Sequence, residues 1–458
     1  MLAGSLIANA VSEAAGTFSG LLLQPADAGY ESARRVHNGM VDKRPALVAQ
    51  CRGVADVVDA IRIARDLGLD VSVRGGGHNV AGRAVVEGGV MIDLAGMKGI
   101  HVDAGRRTVR AQGGATWGDL DRETQLHGLA VTGGAVSTTG IAGLTLGGGI
   151  GWLMGKYGLA LDNLLSVDLV TAEGRVLRAN AEENPDLFWA VRGGGGNFGV
   201  VTSFEYRLFP VGPTVAAGLI AWSFDNAREM LRFYRDFTAT IPDELSVAAT
   251  LAHAPDGSGV KLAAMVACHC GSVAEGEVAI QPIKTFGSPV IDALGRMAYC
   301  QLNSMLDGGY PKGALNYWKS SFLTRLSDEA IDTMIERFEL CPTPMGQLLL
   351  EHFHGAASRI GTTDTAFPHR REGYNFLVLS QTMDPTLADR CTAWARQTYA
   401  AMQPFVAPGR YVNYLDDDDA GDSVSAAYGP NYQRLREIKT KYDPGNFFRL
   451  NHNILPLV

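Results

Sequence analysis

The chain lacks the features that mark a membrane, nucleic-acid or disulfide-framework protein. No run approaches the roughly 18 apolar residues of a membrane-spanning helix, and no dense Lys/Arg block offsets a formal net charge of −8. Membranes and nucleic acids are therefore poor partners, and a small molecule is the expected one. Six cysteines (Cys51, Cys268, Cys270, Cys300, Cys341 and Cys391), scattered over 458 residues, make no disulfide framework. Cys268 and Cys270 flank His269, but the surrounding V-K-L-A-A-M-V-A-C-H-C-G reads as a strand and no second ligand pair follows, so no metal site is expected. The opening M-L-A-G-S-L-I-A-N-A-V-S-E has neither the basic n-region nor the extended apolar core of a signal peptide, and a cytoplasmic protein is the expectation.

With 46% hydrophobic and 19% charged residues, the chain is apolar enough to fold throughout and too long for one core. After an irregular start, Gly53–Gly68 carries Val54, Val57, Val58, Ile61, Ala64 and Leu67 at helical spacing. Asp70–Arg74, Val90–Leu94 and Arg107–Gln112 read as strands, and Thr116 is placed to cap a helix through Asp119, Leu120 and Glu123. Leu164–Thr171 and Arg175–Arg178 flank a hairpin turn at Gly174.

From about Val211 glycine thins out. Apolar β runs such as Leu245–Ala252 and Lys261–Ala267 then alternate with helical stretches such as Ala227–Thr238 and Asp328–Leu340. Asparagine and glycine motifs return near the end. The expected plan is a cofactor domain built from residues 1–210 and 405–458, with a substrate domain, 211–404, inserted between.

Two glycine clusters carry the chemistry. Arg74-Gly75-Gly76-Gly77-His78-Asn79 follows a strand, where bare backbone N–H groups can line a concave surface that takes pyrophosphate. On its own the loop reads equally as a structural turn with a hydrogen-bonded histidine. The second cluster, Gly133–Trp152, is glycine-dense and holds Ser137, Thr138, Thr139 and Thr145, hydroxyls suited to phosphate. A Rossmann fingerprint does not fit, because strand, turn, helix and a later acidic residue do not follow in order.

Together these segments resemble the FAD-linked oxidases of the vanillyl-alcohol oxidase and p-cresol methylhydroxylase superfamily, in its berberine-bridge-enzyme-like branch. The resemblance also runs through K-Y-G-L-A-L-D-N at 156–163, V-T-A-E-G at 170–174 and L-F-W-A-V-R-G-G-G-G-N-F-G-V-V-T at 187–202. It continues through Y-V-N-Y at 411–414 and from Asn431 to Ile454. It implies an α+β fold: a split FAD-binding domain of two α/β subdomains and an inserted domain whose antiparallel sheet, covered by helices, lies over the flavin.

By the same resemblance, FAD is bound covalently through its 8α carbon to His78. Val136 stands where some relatives have a cysteine, so no cysteinyl link is expected. Cofactor contacts are implied at Arg74, Gly75, Gly76, Gly77, Asn79, Gly82, Gly134, Val136, Thr138, Thr139, Gly143, Gly147, Gly149 and Gly151. Further contacts are implied at Tyr157, Asp162, Asn163, Gly199, Val200, Val201, Tyr411, Asn413, Asn451 and Asn453. Ile150 and Val80 replace aromatic residues of plant relatives, whose catalytic roles do not carry over there. Thr139 occupies the position that tunes oxygen access in relatives.

Tyr414 is the catalytic candidate, as base or hydrogen-bond partner of a substrate hydroxyl. A free phenol titrates near ~10, so that role needs a lowered pKa or a concerted transfer; a purely structural tyrosine is the alternative. In Gln347–His354, alternation puts His352 and His354 on one face, either towards the flavin as substrate-pocket residues or away from it, with Glu351 on the other. The acidic run Asp416–Asp419 reads as a solvated loop, although Asp416 completes the family pattern. The expected activity is hydride transfer from a small alcohol, sugar or amine to FAD, with oxygen as acceptor. A dehydrogenase with another acceptor and a non-catalytic FAD-binding protein are the alternatives.

Overall fold

The computed structural model describes residues 2–14, 16–418 and 422–457. The expected irregular start is instead a helix, Leu2–Ala14, in which Ile7, Ala10, Val11 and Ala14 recur at helical spacing; the last three pack on the first sheet's core. That sheet comprises β1 (Leu21–Leu23), β2 (Leu47–Gln50), β3 (Val71–Arg74) and β4 (Val90–Asp93) in the order β1-β2-β4-β3. β4 is parallel to both β2 and β3. β2 and β3 run in the same direction on either side of β4, and the helix Val54–Asp66 carries the chain from one to the other, burying Val57, Ala60, Ile61 and Ala64 against the strands.

The next strands are β5 (Ile100–Asp103), β6 (Thr108–Gln112), the short β7 (Leu129–Ala130), β8 (Leu164–Val170), β9 (Val176–Asn180), β10 (Val200–Arg207) and the short β11 (Phe209–Pro210). β7 pairs with β11, and the other five form an antiparallel sheet in the order β5-β6-β10-β8-β9. The β8–β9 hairpin turns at Gly174, whose φ of 78° is left-handed. Thr116 caps the helix Trp117–Gln125: its hydroxyl accepts from the Asp119 N–H, and the Asp119 carboxylate accepts from its own N–H.

The inserted part is an eight-stranded antiparallel sheet of β12 (Thr214–Ser223), β13 (Leu245–His253), β14 (Lys261–His269), β15 (Ile291–Asp292), β16 (Gly295–Ala298), β17 (Leu315–Leu323), β18 (Gln347–Phe353) and β19 (Gly373–Thr382). The order is β15-β12-β14-β13-β18-β19-β17, with β16 also on β12. Alternation sorts its side chains. Val247, Ala249, Leu251, Leu348, Leu350 and Val378 pack with residues of the helices Ala227–Thr238, Asp328–Glu339 and Ala388–Met402. Each such Val or Leu contributes ~1.5–3 kcal/mol by burial, so this face anchors the layer. The opposite face, with Ala248, Leu349 and Leu377, looks into a cavity.

Cys268 and Cys270 are buried in the apolar layer on that cavity side, whereas His269 sits beside Gly276 of the covering helix Val273–Lys284. The three side chains therefore do not converge.

The chain's end returns to its beginning. The buried Lys439, on the helix Tyr432–Tyr442, donates to the carbonyls of Asn197 and Phe448 and to the Asp443 carboxylate at 2.7, 3.1 and 2.6 Å. The buried Arg370–Asp162 pair at 2.8 Å ties the inserted part to the second glycine-rich region. Asp416–Asp418 are engaged, contrary to the expected solvated loop. Asp416 is buried and accepts from the Trp318 N–H, Asp417 pairs with Arg83, and Asp418 with Lys319 and Arg396. Asp419 lies outside the described residues. Among the described residues no helix is long and apolar enough to cross a membrane.

Candidate active site

A cavity of about 950 Å³ opens where the three parts meet. Its walls are the two glycine segments, its floor Gly195–Asn197, Gly199–Val201 and Asn451, and its roof the inserted sheet.

The first loop is rooted by Arg74, which faces away from the cavity. Its Nε donates to Asp93 at 2.9 Å, another guanidinium nitrogen closes a second bond to the same carboxylate, and a third donates to the Arg35 carbonyl at 3.0 Å. The chain then turns through Gly77 at φ 72°. The glycines divide by what they touch. A Cβ on Gly76 or Gly140 would meet the other's backbone nitrogen at 2.3 Å, so these two loops pack backbone against backbone. A Cβ on Gly143, which lines the cavity, would meet nothing within 4 Å.

His78 lies in the cavity wall with its Nε2 3.0 Å from the Thr138 hydroxyl and its ring stacked on His37 at 3.9 Å. Burial, then the neighbouring His37 and Lys312, push its pKa down to about 3, so the imidazole is neutral with a lone pair available. Val136 and Thr139 line the cavity beside it.

Tyr411, Asn413 and Tyr414 enter from the C-terminal segment. The Tyr411 oxygen accepts from the Gly149 N–H at 2.8 Å and from Asn413 Nδ2 at 2.9 Å, and Asn413 also reaches the Leu144 carbonyl at 3.0 Å. Tyr411 and Asn413 thereby hold the second glycine segment. Tyr414 stands edge-on to Tyr411, with ring centroids 4.8 Å apart, and its hydroxyl donates to Glu351 Oε1 at 3.3 Å. Asn375 Nδ2 donates to the other carboxylate oxygen at 2.6 Å. Burial pushes Glu351 up to about 7, and burial together with the Glu351 charge pushes Tyr414 well above its usual value. The phenol is thus protonated, and the carboxylate beside it is the group that titrates near neutrality.

Of the expected contacts, Gly75, Gly76, Gly77, Asn79, Gly134, Val136, Thr139, Gly143, Gly147, Gly151, Gly199, Val200, Val201, Tyr411, Asn413 and Asn451 line the cavity together with His78 and Tyr414. Others support it from behind. Gly82 abuts Val41, Tyr157 stacks on Phe209 at 3.9 Å, Asp162 pairs with Arg370, and Asn163 bonds the carbonyls of Tyr157 and Leu159. Thr138 reaches the cavity through His78, while Gly149 and Asn453 do not line it.

His352 and His354 stack on each other at 4.5 Å; His352 lines the cavity and also meets Tyr374 of the helix-packed core, whereas His354 does not line it. The opposite face of β18 supplies Glu351, which motif reading passed over. The alternation of Gln347–His354 separated Glu351 from the histidines; a lone carboxylate among leucines was the signal that its face mattered.

The residues present fit FAD. The cavity takes a ligand of nucleotide size, its glycine walls present backbone N–H groups, and a neutral histidine stands in one of them. Comparisons with known proteins agree. Residues 45–180 match the FAD binding domain family, and residues 410–455 match the family described as berberine and berberine like. An FAD-linked oxidoreductase of Dictyostelium discoideum is 30% identical, over 98% of this chain and 97% of that one. The (R)-6-hydroxynicotine oxidase of Paenarthrobacter nicotinovorans is 32% identical, over 96% and 97%. The crystal structure of 6-hydroxy-D-nicotine oxidase from Arthrobacter nicotinovorans superposes with a TM-score of 0.88 at 30% identity, covering 96% of this chain and 98% of its own. The chain belongs to the FAD-linked oxidases of the berberine-bridge-enzyme-like branch. It is an FAD-dependent oxidoreductase of small organic substrates.

Proposed function

We propose that this site oxidises a C–H bond next to a hydroxyl or amine, with FAD attached covalently at His78 and Tyr414 and Glu351 removing the O–H or N–H proton. The hydrogen bond from Tyr414 to Glu351 in the cavity carries this reading. FAD, when bound, supplies the hydride acceptor.

Tyr414 offers its oxygen to the substrate hydroxyl and passes its own proton to the ionised Glu351 as it takes the substrate's, so the buried phenol never stands as a phenolate. A carboxylate titrating at about 7 is ionised in a useful fraction at neutral pH and remains basic enough to accept the proton. Thr138 engages Nε2 of His78, so attachment through Nδ1 is proposed. Val136 has no thiol, which leaves a single bond. Residues 1–210 and 405–458 are assigned to the cofactor and 211–404 to the substrate.

Acid precipitation tests the attachment. A yellow pellet is expected from the wild type and a colourless one from His78→Ala; free flavin released from the wild type would remove the bond. Tyr414→Phe is expected to slow anaerobic flavin reduction by ~10²–10⁴-fold, and an unchanged rate would remove the assignment. Oxygen is the assigned acceptor: reduced enzyme is expected to recolour in air, whereas recolouring only with an added quinone or dye would mark a dehydrogenase.

A further inference from the structure

Strand register arranges the cavity face of the inserted sheet in rows. Ala248, Glu351 and Asn375 stand side by side on β13, β18 and β19. Two residues further along the same strands come Thr250, Leu349 and Leu377, and two further again Ala252, Gln347 and Leu379, with Trp318 beside Leu379 on β17. At ~3.3 Å per residue the third row lies about 13 Å beyond the first. Cavity lining continues past it to Ala254 and Pro255 of the β13–β14 hairpin. The reacting groups, Glu351 and the Tyr414 bonded to it, are at one end, and the remainder is a long trough.

The trough has little with which to greet polar groups. Thr250 turns its hydroxyl to the neighbouring Leu251 carbonyl at 3.3 Å, and Gln347 Oε1 accepts from the Tyr310 hydroxyl at 3.4 Å, which leaves the Gln347 amide NH2 as a donor on this face. Met305, Leu306 and Met345 add further apolar lining. Arg83, from the N-terminal part, is the only Arg or Lys that lines the cavity among the described residues. Each substrate hydroxyl stranded there without a partner costs on the order of tenfold in affinity, and a carboxylate or phosphate has no cation on the sheet to meet it. Small side chains at Ala248, Thr250 and Ala252 leave room for a chain, and Tyr310 and Trp318, edge-to-face at 6.1 Å, flank it with aromatic surface.

We infer that the substrate is an elongated apolar molecule, aromatic or alkyl, that carries its hydroxyl or amine at one end only; polyhydroxylated saccharides and anionic acids are disfavoured. This rests on the proposed reaction for which end is oxidised, and on the lining alone for the rest.

Para-alkyl acetophenones of increasing chain length, which have no alcohol to oxidise, test binding through the flavin spectrum of the holoenzyme. Para-alkyl benzyl alcohols, the corresponding benzylamines and cellobiose test anaerobic flavin reduction. Each added methylene is expected to tighten ketone binding about fourfold until the chain spans the trough. Ala252→Trp is expected to cancel at least tenfold of the gain of the longest over the shortest ketone. Cellobiose is expected to reduce the flavin at least 100-fold more slowly than the best alcohol or amine, on the order set by several stranded hydroxyls. Ketone affinity independent of chain length, or cellobiose reacting as fast as the alcohols, would overturn the inference. Chain-length-dependent ketone binding with no flavin reduction by any alcohol or amine would support the apolar trough and refute the proposed reaction.

Discussion

Asn375 sets how readily Glu351 ionises. Its 2.6 Å hydrogen bond favours the charged carboxylate against burial, which disfavours it. A hydrogen bond to a charged group is worth ~1.5–3 kcal/mol, or about one to two pKa units. Asn375→Leu is therefore expected to move the rising limb of the pH dependence of flavin reduction about one to two units towards alkaline pH; an unmoved limb would contradict this. Of the residues that meet at this point, Tyr414 was legible in the sequence and Glu351 was not. Tyr414 sits in a recognisable motif. Glu351 is 63 residues away, in a strand whose alternation shows two faces without saying which one meets the cofactor domain. His78 was legible as a member of a glycine loop, but its neutral state comes first from burial and then from His37 and Lys312, none of which the loop itself shows.

Among the elements, the helix Trp117–Gln125 meets the helix Tyr299–Ser304 of the inserted part through Asp121 and Asn303, 2.6 Å apart and fully enclosed. Burial raises Asp121 from 3.8 to about 7. The unfolded chain sheds this proton above about pH 4 while the folded chain keeps it to about 7, so the group progressively subtracts stability between those values and fully above them. Asp121→Asn removes the charge and keeps an acceptor for Asn303. It is expected to stabilise the protein by up to ~4 kcal/mol at about pH 8 and by little below about pH 4; denaturant melts at both values check it, and equal stability of the two proteins at about pH 8 would contradict it.

Element type was readable wherever the period was clean, as in Val54–Asp66, Ala227–Thr238 and β13. It was missed at Leu2–Ala14, where short alanine-rich spacing makes a weak apolar stripe. The Asp416–Asp418 run misled because its partners Lys319, Arg396 and Arg83 are distant in sequence; composition alone reads such a run as solvated.

At the scale of the whole molecule, the site exists only because three stretches of chain converge: two glycine loops from the first, Glu351 and the apolar trough from the second, Tyr414 from the third. The change in glycine texture near Val211 and the returning motifs after 405 made this split visible before any geometry. The depth and direction of the trough come from strand register, which no single stretch encodes. The proposed proton path crosses from the C-terminal segment to the inserted sheet, so it tests the assembly as a whole. The decisive measurement is the pH dependence of anaerobic flavin reduction in the wild type and in Glu351→Gln. The wild-type rate is expected to rise with pH through about 7, as the carboxylate ionises, and the Glu351→Gln rate to be ~10²–10³-fold lower with that rise gone. A Glu351→Gln enzyme that keeps the wild-type rate and the same rise would contradict it.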